Sequence, residues 1–493
     1  MQDTSGIQFT AIQPAAPAAV TLVHHAASPA LWSIFGAGFL GGLAALFMPC
    51  IFPMLPLTVS YFTKKAHSKA KAVRAASFYG LSIMVIYVVL GLAITVLFGA
   101  DALNSLATNG IFNLLFFGLL VVFAASFLGA FELNLPSRWV NKIDAQADKS
   151  GWAGIFFMAA TLSLVSFSCT GPIIGTLLVQ AAVSGALLGP AIGMFGFSLA
   201  LAIPFTLFAT FPSLLASLPK SGGWLNSVKV VLGFLELALA LKFLSNVDLA
   251  YHWHWFDREV YLVLWIVIFA LLGVYLLGKL KLSHDSDLPF ISVPRLFLAI
   301  VVFAFTLYMV PGLWGAPLKS ISAFLPPQAT QDFDLYTPTL GISHNSDTVK
   351  RKYAELFDKP PGQNPFFDYQ QGLAYARSMH KPVMIDFTGH ACVNCRKMEA
   401  NVWTDPAVLP VIRDSYVLIQ LYVDDKTKYN DQSATTIGAA NSLLQTSRFN
   451  SNSQPFYVLL DPTTEKPLVN PQGADYDVVS YLKYLNSGLA AFH

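Results

Sequence analysis

Charge is what this 493-residue chain has least of. Asp, Glu, Lys and Arg make up 12% of it, about half of the roughly 25% usual in soluble domains. With 55% hydrophobic residues and a mean hydropathy of +0.55, that scarcity excludes an ordinary soluble protein and predicts an integral membrane protein. A basic excess is missing as well. The formal net charge of +2 leaves no electrostatic footprint for nucleic acid. Cysteine is also scarce. Cys50, Cys169, Cys392 and Cys395 are all there are, too few for a disulfide-stapled scaffold. Each sits in a marked context, which points to chemistry rather than to structure. Residues 1–25 show no basic run ahead of an apolar one, so no cleavable leader is expected there. Either the first span inserts by itself or a segment lies upstream of this chain.

Uncharged runs of about 20 residues mark bilayer spans. Eight are expected, at 31–62, 75–98, 111–131, 152–183, 190–217, 228–247, 260–278 and 296–314. The loops 63–74, 132–151, 218–229 and 279–295 hold five, three, two and three Lys or Arg. The alternate loops 99–110, 184–189 and 248–259 hold only Arg258. Basic loops stay on the cytoplasmic side, so both termini are expected to face outward. After Trp314 the composition shifts. Residues 315–364 read as a linker or extended arm, and 365–493 as a small soluble domain. There "PVMIDFTG", "YVLIQLYVDD" and "PFYVLLDP" read as buried strands, and "YQQGLAYARSMH", "VNCRKMEANVW" and the terminal "DYDVVSYLKYLNSGLAAF" as helices. The polar stretch 424–453 is expected to add a helix and loops. Alternation of strands and helices at this size predicts an α/β domain.

"DFTGHACVNCRK" puts Cys392 and Cys395 in a C-x-x-C pair where a strand ends and a helix opens. Amides at a helix start favour a thiolate, so Cys392 is the expected nucleophile and Cys395 the resolving thiol. A zinc site would need two more ligands of the same kind close by, and the sequence offers none. The pair therefore reads as redox-active. This stretch resembles a thioredoxin active site. The resemblance implies that Asp386, six residues before Cys392, is the buried acid that takes the proton from the second cysteine. It also implies that Pro455 in "SQPFYVLL" is the cis-proline facing the disulfide, leaving the Gln454 backbone to pair with a substrate chain. Apolar neighbours around Asp386 agree with burial. Ala391 stands where thioredoxins usually have tryptophan, and Val393-Asn394 where they have Gly-Pro, so potential and partner choice do not carry over.

Cys50 and Cys169 share a second pattern, C-x-x-P, in "CIFP" and "CTGP". Each lies near the middle of an uncharged stretch of 32 residues, too long for one straight span. Proline removes a backbone donor and clashes with the preceding turn. Pro49, Pro53 and Pro56 around Cys50, and Pro172 after Cys169, thus predict broken or re-entrant helices. Such backbone survives at membrane depth only when buried in protein or lining a wet cavity. Three spans fall in each unit, and an odd number inverts the second. Spans one to three and four to six are therefore expected to form an inverted repeat, with Cys50 and Cys169 meeting near the midplane.

With these motifs in hand, the chain from about residue 31 onward resembles the DsbD family of thiol:disulfide interchange reductases. The expected fold is thus a polytopic α-helical membrane domain, of inverted three-helix repeats plus two helices, over residues 31–314. A thioredoxin-like domain follows. The resemblance implies a bacterial inner-membrane protein that exports electrons. Cytoplasmic thioredoxin reduces the membrane pair, which reduces the outer pair, which serves periplasmic disulfide acceptors in disulfide isomerisation or cytochrome c maturation. No flavin, quinone or haem is implied, because the electrons travel on sulfur. It also implies that an acid at the position of Glu399 tunes the active cysteine, although a surface charge there would need no explanation. The family's usual third module, an N-terminal immunoglobulin-like domain with its own cysteine pair, does not fit residues 1–30. A separate protein, or a segment cut away, is the expectation. A quinone-coupled thiol oxidase and a soft-metal transporter are the rival readings.

Three further signals remain. Glu236 lies deep in the sixth span, where an acid is costly; a proton relay and a structural hydrogen bond are both open. His252 and His254 in "YHWHWFD" form an H-x-H pair, but the flanking tryptophans read as an interfacial belt, and no metal is expected. The glycines of "GAGFLGGLAA" read as close helix packing.

Overall fold

The computed structural model describes residues 31–46, 74–92, 109–131, 188–210, 222–282, 290–335, 349–431 and 434–492, with isolated positions at 154–156, 159–160, 163 and 285. Cys50, Cys169, Pro49, Pro53, Pro56 and Pro172 lie outside the described residues.

Seven apolar helices lead the described chain: α1 (Leu31–Ala45), α2 (Arg74–Leu92), α3 (Gly110–Phe127), α4 (Leu188–Thr210), α5 (Gly222–Tyr251), α6 (Arg258–Leu276) and α7 (Val293–Met309). Among the described residues, five stretches are long and apolar enough to cross a membrane: α2, α3, α6, Asn226–Tyr251 within α5, and Val293–Trp314, which extends α7. Of the expected fourth span, only the isolated positions near residue 160 are described.

Small residues set the helix contacts. A Cβ on Gly38 of α1 would run into the Gly193 carbonyl of α4, and one on Gly42 into the Phe197 carbonyl. Gly80 of α2 faces Thr206 of α4, and Gly233 of α5 faces Ala124 and Phe127 of α3. Helices in lipid associate through such close approach, because lipid is as apolar as leucine.

α6 packs on α5 and α7 through Tyr261, Leu262, Trp265, Leu272 and Tyr275. The Trp265 indole N–H donates to the Ala238 carbonyl at 3.0 Å. Leu318, Ile321 and Leu325, beyond α7, join the same core. Arg258, the one Lys or Arg of the stretch 248–259, has a packing role. It is 3% exposed, and its guanidinium donates to the carbonyls of Pro326 at 2.8 Å and Ala316 at 3.3 Å. A buried guanidinium needs such acceptors. This one pins the segment after α7 to the start of α6.

The C-terminal domain carries β1 (Val383–Thr388), β2 (Val417–Tyr422) and β5 (Phe456–Leu460) in the order β2-β1-β5. β1 is parallel to β2 and antiparallel to β5. β3 (Lys428–Asp431) and β4 (Ala434–Thr436) form a separate hairpin. β1 and β2 are buried along their whole length, as expected of largely apolar runs covered on both faces, with Asp386, Thr388 and Gln420 as polar exceptions. Helices α8 (Tyr369–Met379), α9 (Val393–Met398), α10 (Ile437–Phe449) and α11 (Val478–Phe492) complete the domain. α9 runs on as a π-helical turn, Glu399–Trp403. Asp368 caps α8 by accepting from the Gln371 amide.

The two parts touch. The Lys426 amide donates to the Ala250 carbonyl at the end of α5, at 3.2 Å.

Candidate functional site

Asp386 occupies the middle of the central strand, in register with Gln420 of β2 and Tyr457 of β5. Two residues after Asp386 the strand ends, and the chain turns through Gly389, His390 and Ala391 into Cys392. Asp424 holds this turn. Its two carboxylate oxygens accept from the His390 amide at 2.8 Å and the Ala391 amide at 3.0 Å. A Cβ on Gly389 would stand 2.9 Å from that carboxylate, so the approach requires glycine.

Cys392 is the N-cap of α9 and is joined to Cys395 by a disulfide. Its sulfur also accepts from the Cys395 amide at 3.1 Å. Cys392 is half-buried and Cys395 is 1% exposed. One sulfur is therefore open to attack and the other shielded.

Asp386 and Glu399 meet through Gln420. The Gln420 side-chain amide donates to Asp386 Oδ2 at 3.1 Å and to Glu399 Oε1 at 3.3 Å. Arg396 closes the cluster. Its guanidinium pairs with Glu399 Oε1 at 2.9 Å and reaches Thr388 Oγ1 at 3.3 Å. Asp386, Gln420, Arg396 and Glu399 are all buried. Burial, and then the neighbouring Glu399 charge, push the Asp386 carboxyl up to about 8. Burial also raises Glu399, against the pull of Arg396. A carboxyl held near 8 is poised to exchange a proton near neutral pH.

The Gln454–Pro455 bond is cis. Phe456 pairs with Phe387, so Pro455 stands at the sheet end from which the Gly389–Cys392 turn departs. The Gln454 side chain donates to the Asn452 carbonyl at 2.8 Å.

Arg396 and Gln420 were not singled out from the sequence. Gln420 carried a signal, since it is the polar residue inside the apolar strand "YVLIQLYV". Arg396 lies three residues before Glu399, the spacing of a helical ion pair. Glu236 of α5 is 1% exposed, and its carboxylate has no hydrogen-bond partner among the described residues.

Residues 31–248 match the family described as cytochrome C biogenesis protein transmembrane domain. Residues 364–462 match a thioredoxin-like family. Among similar proteins, the thiol:disulfide interchange protein DsbD of Vibrio vulnificus is 28% identical over 386 residues, 77% of this chain and 57% of its own length. The protein of that name from Pseudoalteromonas atlantica is 27% identical, covering 79% of this chain and 59% of its own length. That from Actinobacillus pleuropneumoniae is 27% identical, covering 80% and 60%. The chain thus spans less than two thirds of the curated relatives it matches.

Proposed function

From a chain that carries the transmembrane and thioredoxin-like domains of the DsbD family, we propose a protein-disulfide reductase that moves two electrons across the bacterial inner membrane on sulfur. Cytoplasmic thioredoxin reduces a Cys50–Cys169 disulfide. The resulting dithiol reduces Cys392–Cys395, and that pair reduces a periplasmic disulfide. The acceptor is a thiol–disulfide protein of disulfide isomerisation or cytochrome c maturation, reached directly or through an N-terminal module on a separate or longer chain. No bound cofactor takes part in the transfer.

The observation that carries this reading is the asymmetry of the outer pair, with Cys392 half-open at the helix start and Cys395 buried. In each cycle the Cys392 thiolate attacks an acceptor disulfide. One acceptor sulfur leaves with the electron pair, and a mixed disulfide forms. Cys395 then gives its proton to Asp386 and attacks Cys392. The acceptor leaves with both thiols, and the outer pair is left oxidised. Gln454 and Pro455 hold the acceptor chain, and Glu399 tunes the acid. The membrane pair sits at the interface of two inverted three-helix units within eight spans, both chain termini facing the periplasm. The contacts of α2 with α4 and of α3 with α5 support this arrangement, since each joins corresponding helices of the two expected units. Broken helices at Pro49, Pro53, Pro56 and Pro172 open the pair to one side at a time.

Trapping of mixed disulfides tests the division of roles. Cys395→Ser should accumulate an acceptor joined to Cys392. If trapping occurs instead in Cys392→Ser, through Cys395, the roles are reversed.

A further inference from the structure

We propose that His252, His390 and Asp425 form a binding site for a zinc-class divalent cation, placed between the membrane domain and the thioredoxin-like domain. His252 follows α5 directly. His390 lies two residues before Cys392, and Asp425 lies just past β2. Their ligand atoms fall within 4.8 Å of one another. His252 Nε2 stands 2.7 Å and His390 Nε2 3.1 Å from the same oxygen, Asp425 Oδ2. Donors around a tetrahedral ion with bonds of about 2.0–2.2 Å are roughly 3.3 Å apart, so binding requires only that the two His–Asp gaps open slightly and that the two rings, within 4.8 Å of each other, close on the ion. Two imidazoles and a carboxylate suit zinc and its neighbours better than they suit calcium or magnesium, which favour oxygen.

The donors are held in place. Asp425 Oδ1 accepts from the Thr427 amide at 2.9 Å, which leaves Oδ2 directed at the rings. His390 stacks on Tyr422 with ring centroids 4.4 Å apart. Phe357 stacks on His390 and meets the His252 ring edge-on. Partners of this kind orient ligands and tune affinity. His252 has a left-handed backbone, with φ of 54°, a conformation uncommon outside glycine. Such outliers gather at functional sites. Asp425 and His390 are buried, whereas the His252 side chain is 16% exposed. That open side admits water as a further ligand. His254, the other half of the H-x-H pair, turns away toward Asp257, its Nδ1 3.7 Å from Oδ1.

A bound ion would fasten the turn that carries Cys392 to the outer end of α5. Its effect on movement of the outer domain rests on the relay proposed above; binding of the ion does not. The test therefore reads binding alone. Full-length protein in detergent, with both cysteine pairs oxidised so that no thiolate competes, is titrated with Zn2+ by calorimetry at neutral pH. One Zn2+ per chain is expected. His252→Ala, a loop substitution, should weaken it by at least about tenfold, the lower range for losing even an outer-shell partner. His254→Ala should leave it unchanged. Co2+ in place of Zn2+ should give visible d–d absorption that His252→Ala removes. Absence of saturable binding at micromolar Zn2+, or equal affinity in His252→Ala and the parent, would overturn the proposal.

Discussion

Asp386 should tie the pH behaviour of the thioredoxin-like domain to its proposed chemistry. Its carboxyl is pushed up to about 8 by burial and by Glu399. An acid whose pKa is higher in the folded than in the unfolded chain stabilises the fold through its neutral form. That contribution is whole below about pH 4 and is lost as pH rises through about 8. Asp386→Asn keeps a neutral acceptor for Gln420 at every pH. The variant should match the parent in stability near pH 4 and exceed it above pH 8, measured by chemical denaturation. It should also resolve mixed disulfides more slowly, by about 100-fold near pH 7, the low end of general-base effects. The gap should narrow as pH rises and Cys395 ionises unaided. Stopped-flow profiles that run parallel across pH would show Asp386 to be structural only.

Arg396 presents the reverse case, a buried charge with a partner. Removing one member of such a pair leaves the other unpaired, at a cost of about 3–5 kcal/mol. Arg396→Ala should therefore destabilise the thioredoxin-like domain by that amount. Arg413→Ala, which breaks an exposed contact with Asp414 at 2.8 Å, should cost less than about 1 kcal/mol. Denaturant midpoints of the two variants check the contrast. Asp386 and Glu399 were marked in the sequence by the family resemblance, and the structure buries both. Arg396 and Gln420 left only faint signals, an i,i+3 spacing to Glu399 and a polar residue in an apolar strand, because their joint contact with Asp386 and Glu399 comes from the meeting of β1, β2 and α9.

Among elements, the three sheet strands follow their apolar runs, since a strand buried on both faces is apolar along most of its length; Asp386 and Gln420 are buried polar exceptions that meet each other. The spans of α2, α3 and α6 follow for a similar reason, as bilayer thickness sets their length. The hairpin β3–β4 was not legible, because its residues are polar and its pairing is local. The full extent of α5 was hidden too. It runs on to Tyr251, and past its end Asp248 accepts from the Trp253 and Trp255 amides. Gly38 and Gly42 of α1 were legible as packing residues, and the structure supplies their partner in α4. Gly38→Leu would force a side chain into the Gly193 carbonyl. It should lower the yield of folded protein in membranes severalfold, as judged by protease resistance. Gly36→Leu, with nothing within 4 Å of the added Cβ, should be tolerated.

At the scale of the whole molecule, the sequence separates a membrane part from a thioredoxin-like domain by composition alone. It does not show that the end of α5 touches that domain at Lys426 and Asp425, because that contact joins segments more than 170 residues apart. Cys50 and Cys169 fall outside the described residues, so their proposed pairing rests on the C-x-x-P pattern and on the inverted units expected from the sequence. The direct test is reconstitution into sealed vesicles, right side out, with thioredoxin, its reductase and NADPH inside. The redox state of Cys392–Cys395 is then read from outside by mass-shift alkylation. The account predicts that the outer pair becomes reduced in the parent and stays oxidised in Cys50→Ser and in Cys169→Ser. Reduction of the outer pair at the parental rate in either variant would contradict a relay through the membrane cysteines.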